Sequence, residues 1–387
     1  MKTDESDVNE TRATVALVAL TVAAIAYWNA MPILIGGFVD EFGWSPQLAG
    51  RISSLQLFAT MSMLCVATMT VHRWNLRRTV LFAACLFVLS DFCAAWFDSV
   101  TLMILTRIVS GLAAGVILGA VYAAISRVRQ PTRVYGIVVA SMSLSGLVWF
   151  LGIPPLLEHS GMTGPFLGFA AASLAALAIA LAWFPRFRGR GDVASVQLGL
   201  LSILTLPVFL LAMGFFIQSV VSGANWAYWE RIGVNSGLSA QGAGVVLSLG
   251  AVCGMLGGAL AAWMDGKVGD ATALVAGLAV MGAGFVTALY YNPVAYVAAT
   301  VIWNVTHSVV LTFFLGLFAK ADASGRLVNA GNLLWYAGGA VGPAAASLVL
   351  VAGNYSPMIY ACSFGVLASL VVIVPVLVKS AAANPRY

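Results

Sequence analysis

The sequence predicts an all-α membrane protein, with twelve transmembrane helices arranged as two pseudo-symmetric six-helix bundles. Three observations predict it. Hydrophobic residues make up 61% of the chain and charged residues 9%, where soluble domains carry roughly 25% charged residues. The basic residues fall on alternate loops. An octapeptide recurs half a chain away from its first copy.

A helix needs about 20 mostly apolar residues to cross the hydrocarbon core, and apolar runs of that length recur from residue 14 to residue 378. Reading the polar interruptions as loops places spans at 14–38, 46–70, 79–97, 100–126, 133–155, 164–185, 196–224, 239–263, 271–290, 293–318, 327–352 and 356–378. The start, MKTDESDVNE, is polar and acidic, and the run after it lacks a small-residue cleavage pattern. A secretory leader has a basic start and a shorter core, so this run is read as a retained first span.

Of the 19 Lys and Arg, all but Arg51, Arg107 and Arg231 fall on the termini or on alternate loops. By the positive-inside rule both termini are cytoplasmic, in a plasma membrane, or the inner membrane if the source is bacterial. The five cysteines all sit within apolar runs without metal or redox spacing, so they read as free thiols. No cofactor or metal is implied, and the placement of the net charge of +5 argues against a nucleic-acid partner.

The midpoint, RFRGRGD at 186–192, is basic and follows six spans. The predicted organisation is an N-terminal half at 1–185, a cytoplasmic linker at 186–195 and a C-terminal half at 196–387. The octapeptide GWSPQLAG at 43–50 returns as GLSAQGAG at 237–244, an offset of 194 residues. Each copy precedes an even-numbered span. Ser45 and Ser239 suit N-caps and Pro46 suits a first helical position, while Gly50 and Gly244, one turn in, suit close helix approach.

With these features the chain resembles the major facilitator superfamily of secondary transporters along essentially its whole length. The loop after the second span, TVHRWNLRR at 70–78, keeps Arg73, Arg77 and Arg78 of that family's motif but has His72 and Asn75 in place of its Asp and Gly. The second-half counterpart, MDGKVGD at 264–270, keeps Asp265 and Gly269. LTRIVSGLAAGVILG at 105–119 and GGAVGP at 338–343 are similar to the family's fourth and eleventh helices, and GIPP at 152–155 is a remnant of its antiporter element. The resemblance implies alternating access, with the first, fourth, seventh and tenth helices lining a central cavity.

Polar groups inside spans are costly and need a reason. Arg107 lies in the fourth span on one face with Gly111, Gly115 and Gly119, at a depth similar to that of Asp91 in the third. Two readings stand open: Arg107 holds a substrate carboxylate or opposes a proton carrier, or it pairs with Asp91. In the tenth span Thr300, Asn304, His307, Ser308 and Thr312 recur at helical spacing as one polar stripe, with His307 the deep group suited to titrate. Tyr27, Trp28 and Asn29 in the first span, Gln218, Ser222, Asn225 and Trp226 in the seventh, Trp303 in the tenth, and Asn332, Trp335 and Tyr336 in the eleventh complete the candidate substrate-binding set. Tyr228 and Trp229 read as interface anchors. Arg231 reads as a solvated outer charge or as a latch toward Asp40 and Glu41 at the end of the first span.

A membrane-embedded enzyme needs convergent nucleophile, base or metal ligands, and His72, His159 and His307 are far apart. The function expected is secondary active transport, as symport or antiport, of a small organic anion or aromatic compound by a monomer in the lipid bilayer, with a coupled proton or other ion. The alternative is proton-coupled efflux of hydrophobic drug-like compounds, and an enzyme is the remote alternative.

Overall fold

The computed structural model describes residues 4–128, 130–185, 205–322, 326–351 and 353–383. The linker expected at 186–195 lies outside the described residues. Among the described residues twelve α-helices follow in order: α1 Asp4–Phe42, α2 Pro46–Thr70, α3 Leu76–Ala94, α4 Val100–Ile125, α5 Pro131–Ser160, α6 Thr163–Trp183, α7 Leu206–Asn235, α8 Ala240–Met264, α9 Asp270–Thr287, α10 Pro293–Ala321, α11 Arg326–Val349 and α12 Ser356–Ala383. Nine of them are long and apolar enough to cross a bilayer, among the described residues. The short α3 falls outside that group because Arg77, Arg78 and Asp91 lie within its 19 residues.

The helix starts follow from local chemistry. Asn75, Ser239 and Asn292 accept from the backbone N–H three residues on, at 3.2, 3.0 and 2.9 Å, and so cap α3, α8 and α10. The octapeptide repeat has a physical basis here. Gly43 and Gly237 both take positive φ, 66° and 93°, the left-handed turn that glycine adopts without a Cβ penalty. Ser45 then accepts from Leu48 N at 3.2 Å as Ser239 accepts from Gly242 N, and Pro46 opens α2.

The chain divides into two compact units: Met1–Gly43 with Leu55–Val196, and Trp44–Ser54 with Gln197–Tyr387. In the first, α1 packs on α4, α5 and α6, and α3 packs on α4 and α6. In the second, α7 packs on α11 and α12, α9 on α10 and α12, and α8 on α10. Shifting each helix number by six turns the pairs α1–α5, α1–α6, α3–α4 and α3–α6 into α7–α11, α7–α12, α9–α10 and α9–α12, so the two halves repeat one packing plan.

Small residues set the closest helix approaches, because lipid supplies no hydrophobic drive between helices and packing must do so. A β-carbon on Gly111, Gly115 or Gly119 of α4 would run into Gln56, Thr60, Met63 or Ala67 of α2. In the second unit the glycines lie on the other partner: Gly250 and Gly257 of α8 receive Thr300, Asn304 and Val305 of α10. Gly223 of α7 meets Gly339 of α11 backbone to backbone.

The start of α2 belongs to the second unit, an assignment that chain position alone does not give. Gln47 donates to Leu350 O at 3.1 Å and Arg51 to Ser347 Oγ at 3.2 Å. The Tyr228 hydroxyl lies 3.2 Å from Pro46 O and 3.3 Å from Pro343 O. Leu350 follows the last residue of α11, where carbonyls lack an intrahelical donor and so can accept from elsewhere.

Candidate functional site

In the first unit the polar centre is Arg107. Its side chain is 0% exposed, and Nη2 donates to Asp91 Oδ1 at 2.9 Å. Ser110 donates to the same carboxylate oxygen at 3.3 Å, and Gln56 Oε1 and Ser90 O lie 3.5 Å from the guanidinium. The Phe166 and Tyr27 rings stand 4.7 and 5.5 Å from its central carbon, a cation–π arrangement in which desolvation strengthens the attraction. The charge is thus balanced inside the unit by Asp91. Gln56, Ser110 and Phe166 carry no sequence signal of their own; only the packing of α2, α4 and α6 brings them to the pair.

The segment Tyr27, Trp28 and Asn29 does not act as one wall. Consecutive helical residues point about 100° apart, so Tyr27 is buried toward Arg107, while Asn29 turns to α5 and donates to Met142 O at 3.1 Å and Ser145 Oγ at 2.9 Å. Trp28 is half-buried between these directions.

The second unit assembles a polar chain within an aromatic cluster. Gln218 Nε2 donates to Ser222 Oγ at 3.3 Å and lies 3.1 Å from Met281 Sδ. Ser222 Oγ stands 3.2 Å from His307 Nδ1. The Trp335 and Trp303 rings lie 5.1 and 5.9 Å from the His307 ring. Trp226 lies 6.0 Å and Trp229 5.5 Å from Trp303.

Several polar atoms in this unit have no partner among the described residues: Gln218 Oε1, both side-chain polar atoms of Asn225, and Trp303 Nε1. Asn225 is 1% exposed. A buried donor or acceptor left unpaired costs about 1–3 kcal/mol, and a bilayer offers no water to repay it. Gln218, Ser222 and Asn225 recur at four and three residues, so they share one stripe of α7.

The α10 stripe divides rather than lining one wall. Asn304 donates to Thr300 O at 2.9 Å and packs on Gly250, and Ser308 packs on Gly254 and Gly257, so these face α8. Thr312 bonds back to Ser308 O at 2.8 Å. His307 faces Ser222 of α7 and Trp335 of α11 instead. On α11, Asn332 bonds back to Val328 O at 3.2 Å, and Tyr336 is half-buried.

The end of α7 corrects two expectations. Tyr228 and Trp229 are fully buried rather than set at a membrane interface, and Trp229 donates to Thr300 Oγ1 at 2.8 Å. Arg231 is 6% exposed rather than solvated, and its Nε and Nη2 reach the two oxygens of Glu230 at 2.7 and 2.8 Å. The reason is that α7 continues to Asn235, about three turns past the expected end. Asp40 and Glu41, at the end of α1, are exposed.

The family model of the Major Facilitator Superfamily matches residues 16–343, most of the chain. The protein belongs to the Major Facilitator Superfamily. Its relatives include the uncharacterized MFS-type transporter YceJ of Bacillus subtilis (strain 168), 25% identical over 327 residues that cover 80% of this chain and 82% of that one. Probable anion transporter 2, chloroplastic, of Oryza sativa subsp. japonica is 27% identical over 164 residues, 40% of this chain and 31% of that protein. The chain thus matches about a third of that relative's length. Among solved structures, the nucleoside transporter NupG (D323A mutant) superposes with a TM-score of 0.78 at 12% identity, covering 94% of this chain and 99% of NupG. The D-xylose-proton symporter superposes at 0.72 with 16% identity, covering 93% and 96%. At these identities the likeness carries the fold. The chain is a multi-pass MFS transporter.

Proposed function

We propose that this MFS transporter moves a small aromatic solute across the plasma membrane by alternating access, with His307, Trp303 and Trp335 forming the wall against which the solute's ring packs. One observation carries the reading: unit 2 gathers three tryptophans around a His–Ser–Gln chain beside unpaired polar atoms. Ligand sites of this kind are mostly apolar with a few placed polar groups. Asn304 and Asn332 act as packing residues in this reading, since each bonds its own helix backbone.

A second reading, transport of a small organic anion, draws on the names of the plant relatives, probable anion transporters, and on Arg107. The ion pair with Asp91 opposes it, because a guanidinium already matched to a carboxylate has less to offer an anion. Broad efflux of lipophilic compounds remains a separate outcome of the same test.

That test is a deletion strain profiled for growth on aromatic carbon and nitrogen sources and for sensitivity to varied lipophilic compounds. Loss of growth on, or sensitivity to, one aromatic compound supports the proposal. Hypersensitivity across unrelated lipophilic compounds moves the assignment to efflux, and a defect confined to non-aromatic carboxylates moves it to anion transport.

A further inference from the structure

We infer that the side chain of Asn225 holds an uncharged carboxamide-type edge of the solute, one that presents a hydrogen-bond donor beside an acceptor. This rests on the reading that unit 2 binds an aromatic compound, and it adds which polar group that compound carries.

The inference starts from an imbalance. Asn225 Nδ2 and Oδ1 are both buried and both without partners. The next residue, Trp226, faces Trp303, whose ring nitrogen is also unpaired. The flanking residues of α7 are otherwise engaged: Ser222 with His307 and Trp229 with Thr300. So the amide, three residues from Ser222 and four from Trp229 on one face of α7, carries an unused donor and an unused acceptor.

Chemistry then selects the ligand group. A carboxylate brings acceptors only; it would take the Nδ2 protons and leave Oδ1 facing a second negative oxygen. An ammonium brings donors only; it would satisfy Oδ1 and leave Nδ2 unpaired. An amide or lactam edge pairs both at once, and it does so without placing a charge in a low-dielectric interior. The two acidic and basic side chains nearest along α7, Glu230 and Arg231, fork onto each other.

The test uses the purified full chain in lipid nanodiscs and three probes that share one ring: indole-3-acetamide, indole-3-acetate and 3-methylindole, with Kd measured by calorimetry. The amide is expected to bind at least about tenfold tighter than the other two, the effect of one well-made buried hydrogen bond. Asn225→Leu, which keeps volume, and Asn225→Ala are expected to bring the three within about threefold of one another. Equal binding of all three probes to the unaltered protein overturns the inference and leaves aromatic transport standing, and this arm needs no variant to fold. Retained preference in either variant also overturns it. Absence of binding by all three removes the aromatic reading and this inference with it.

Discussion

The hydroxyl of Tyr228 occupies the space that a β-carbon on Gly50 would need. Gly50 lies one turn into α2, and Tyr228 reaches over it toward the carbonyls of Pro46 and Pro343. Gly50→Ala is therefore expected to lower stability by about 1–3 kcal/mol through overpacking, read as a fall in thermal unfolding midpoint in detergent. Combining it with Tyr228→Phe removes the obstructing oxygen, so the double variant should lose less than the two single losses added together. Strict additivity would show that the two residues do not share this space.

Arg107 and Asp91 form a buried pair whose members depend on each other. Removing either alone strands a charge away from water, a loss of about 3–5 kcal/mol. Arg107→Ala and Asp91→Ala are each expected to reduce folded protein in the membrane, and Arg107→Leu with Asp91→Leu should recover much of it. If both single variants retain full thermal stability, the pair does not hold unit 1 together.

The sequence made the twelve spans and the repeat legible because both depend on local chemistry: apolar length, glycine turns and N-caps. The depth of Arg107 and Asp91 was legible for the same reason. The end of α7 was not. A tryptophan, a tyrosine and two charges near the expected end of a span have the composition of an interface, and only packing against α10, α11 and the start of α2 shows them to be interior. The division of the α10 stripe was hidden too: His307 and Ser308 are consecutive and point about 100° apart, so Asn304 and Ser308 reach α8 while His307 does not.

Glycines offer a contrast within one fold. Gly115 of α4 has Thr60 O, Met63 and Leu64 where a side chain would be, whereas Gly258 of α8 has open space. Gly115→Ala is expected to destabilise the protein. Gly258→Ala is expected to be neutral or to stabilise it by up to about 1 kcal/mol, since alanine is the better helix former. Equal thermal shifts for the two would contradict the close α2–α4 contact.

The tryptophans divide in the same way. Trp303→Ala and Trp335→Ala are expected to weaken binding of indole-3-acetamide several-fold or more, since one aromatic contact contributes about 0.5–1.5 kcal/mol beyond its buried area. Trp263, which is exposed and has Lys267 Nζ 4.4 Å over its ring, serves as the control, and Trp263→Ala should bind as the unaltered chain does. Equal losses in all three variants would point to a general effect on folding rather than to a ring-binding wall.

The most direct measurement is counterflow in proteoliposomes containing the purified chain, preloaded with unlabelled indole-3-acetamide and diluted into trace radiolabelled compound. Transient accumulation of label above that of empty liposomes, reduced by Trp303→Ala and kept by Trp263→Ala, is the result expected of an aromatic-solute transporter built around unit 2. Uptake no greater than that of empty liposomes by folded, reconstituted protein would contradict it.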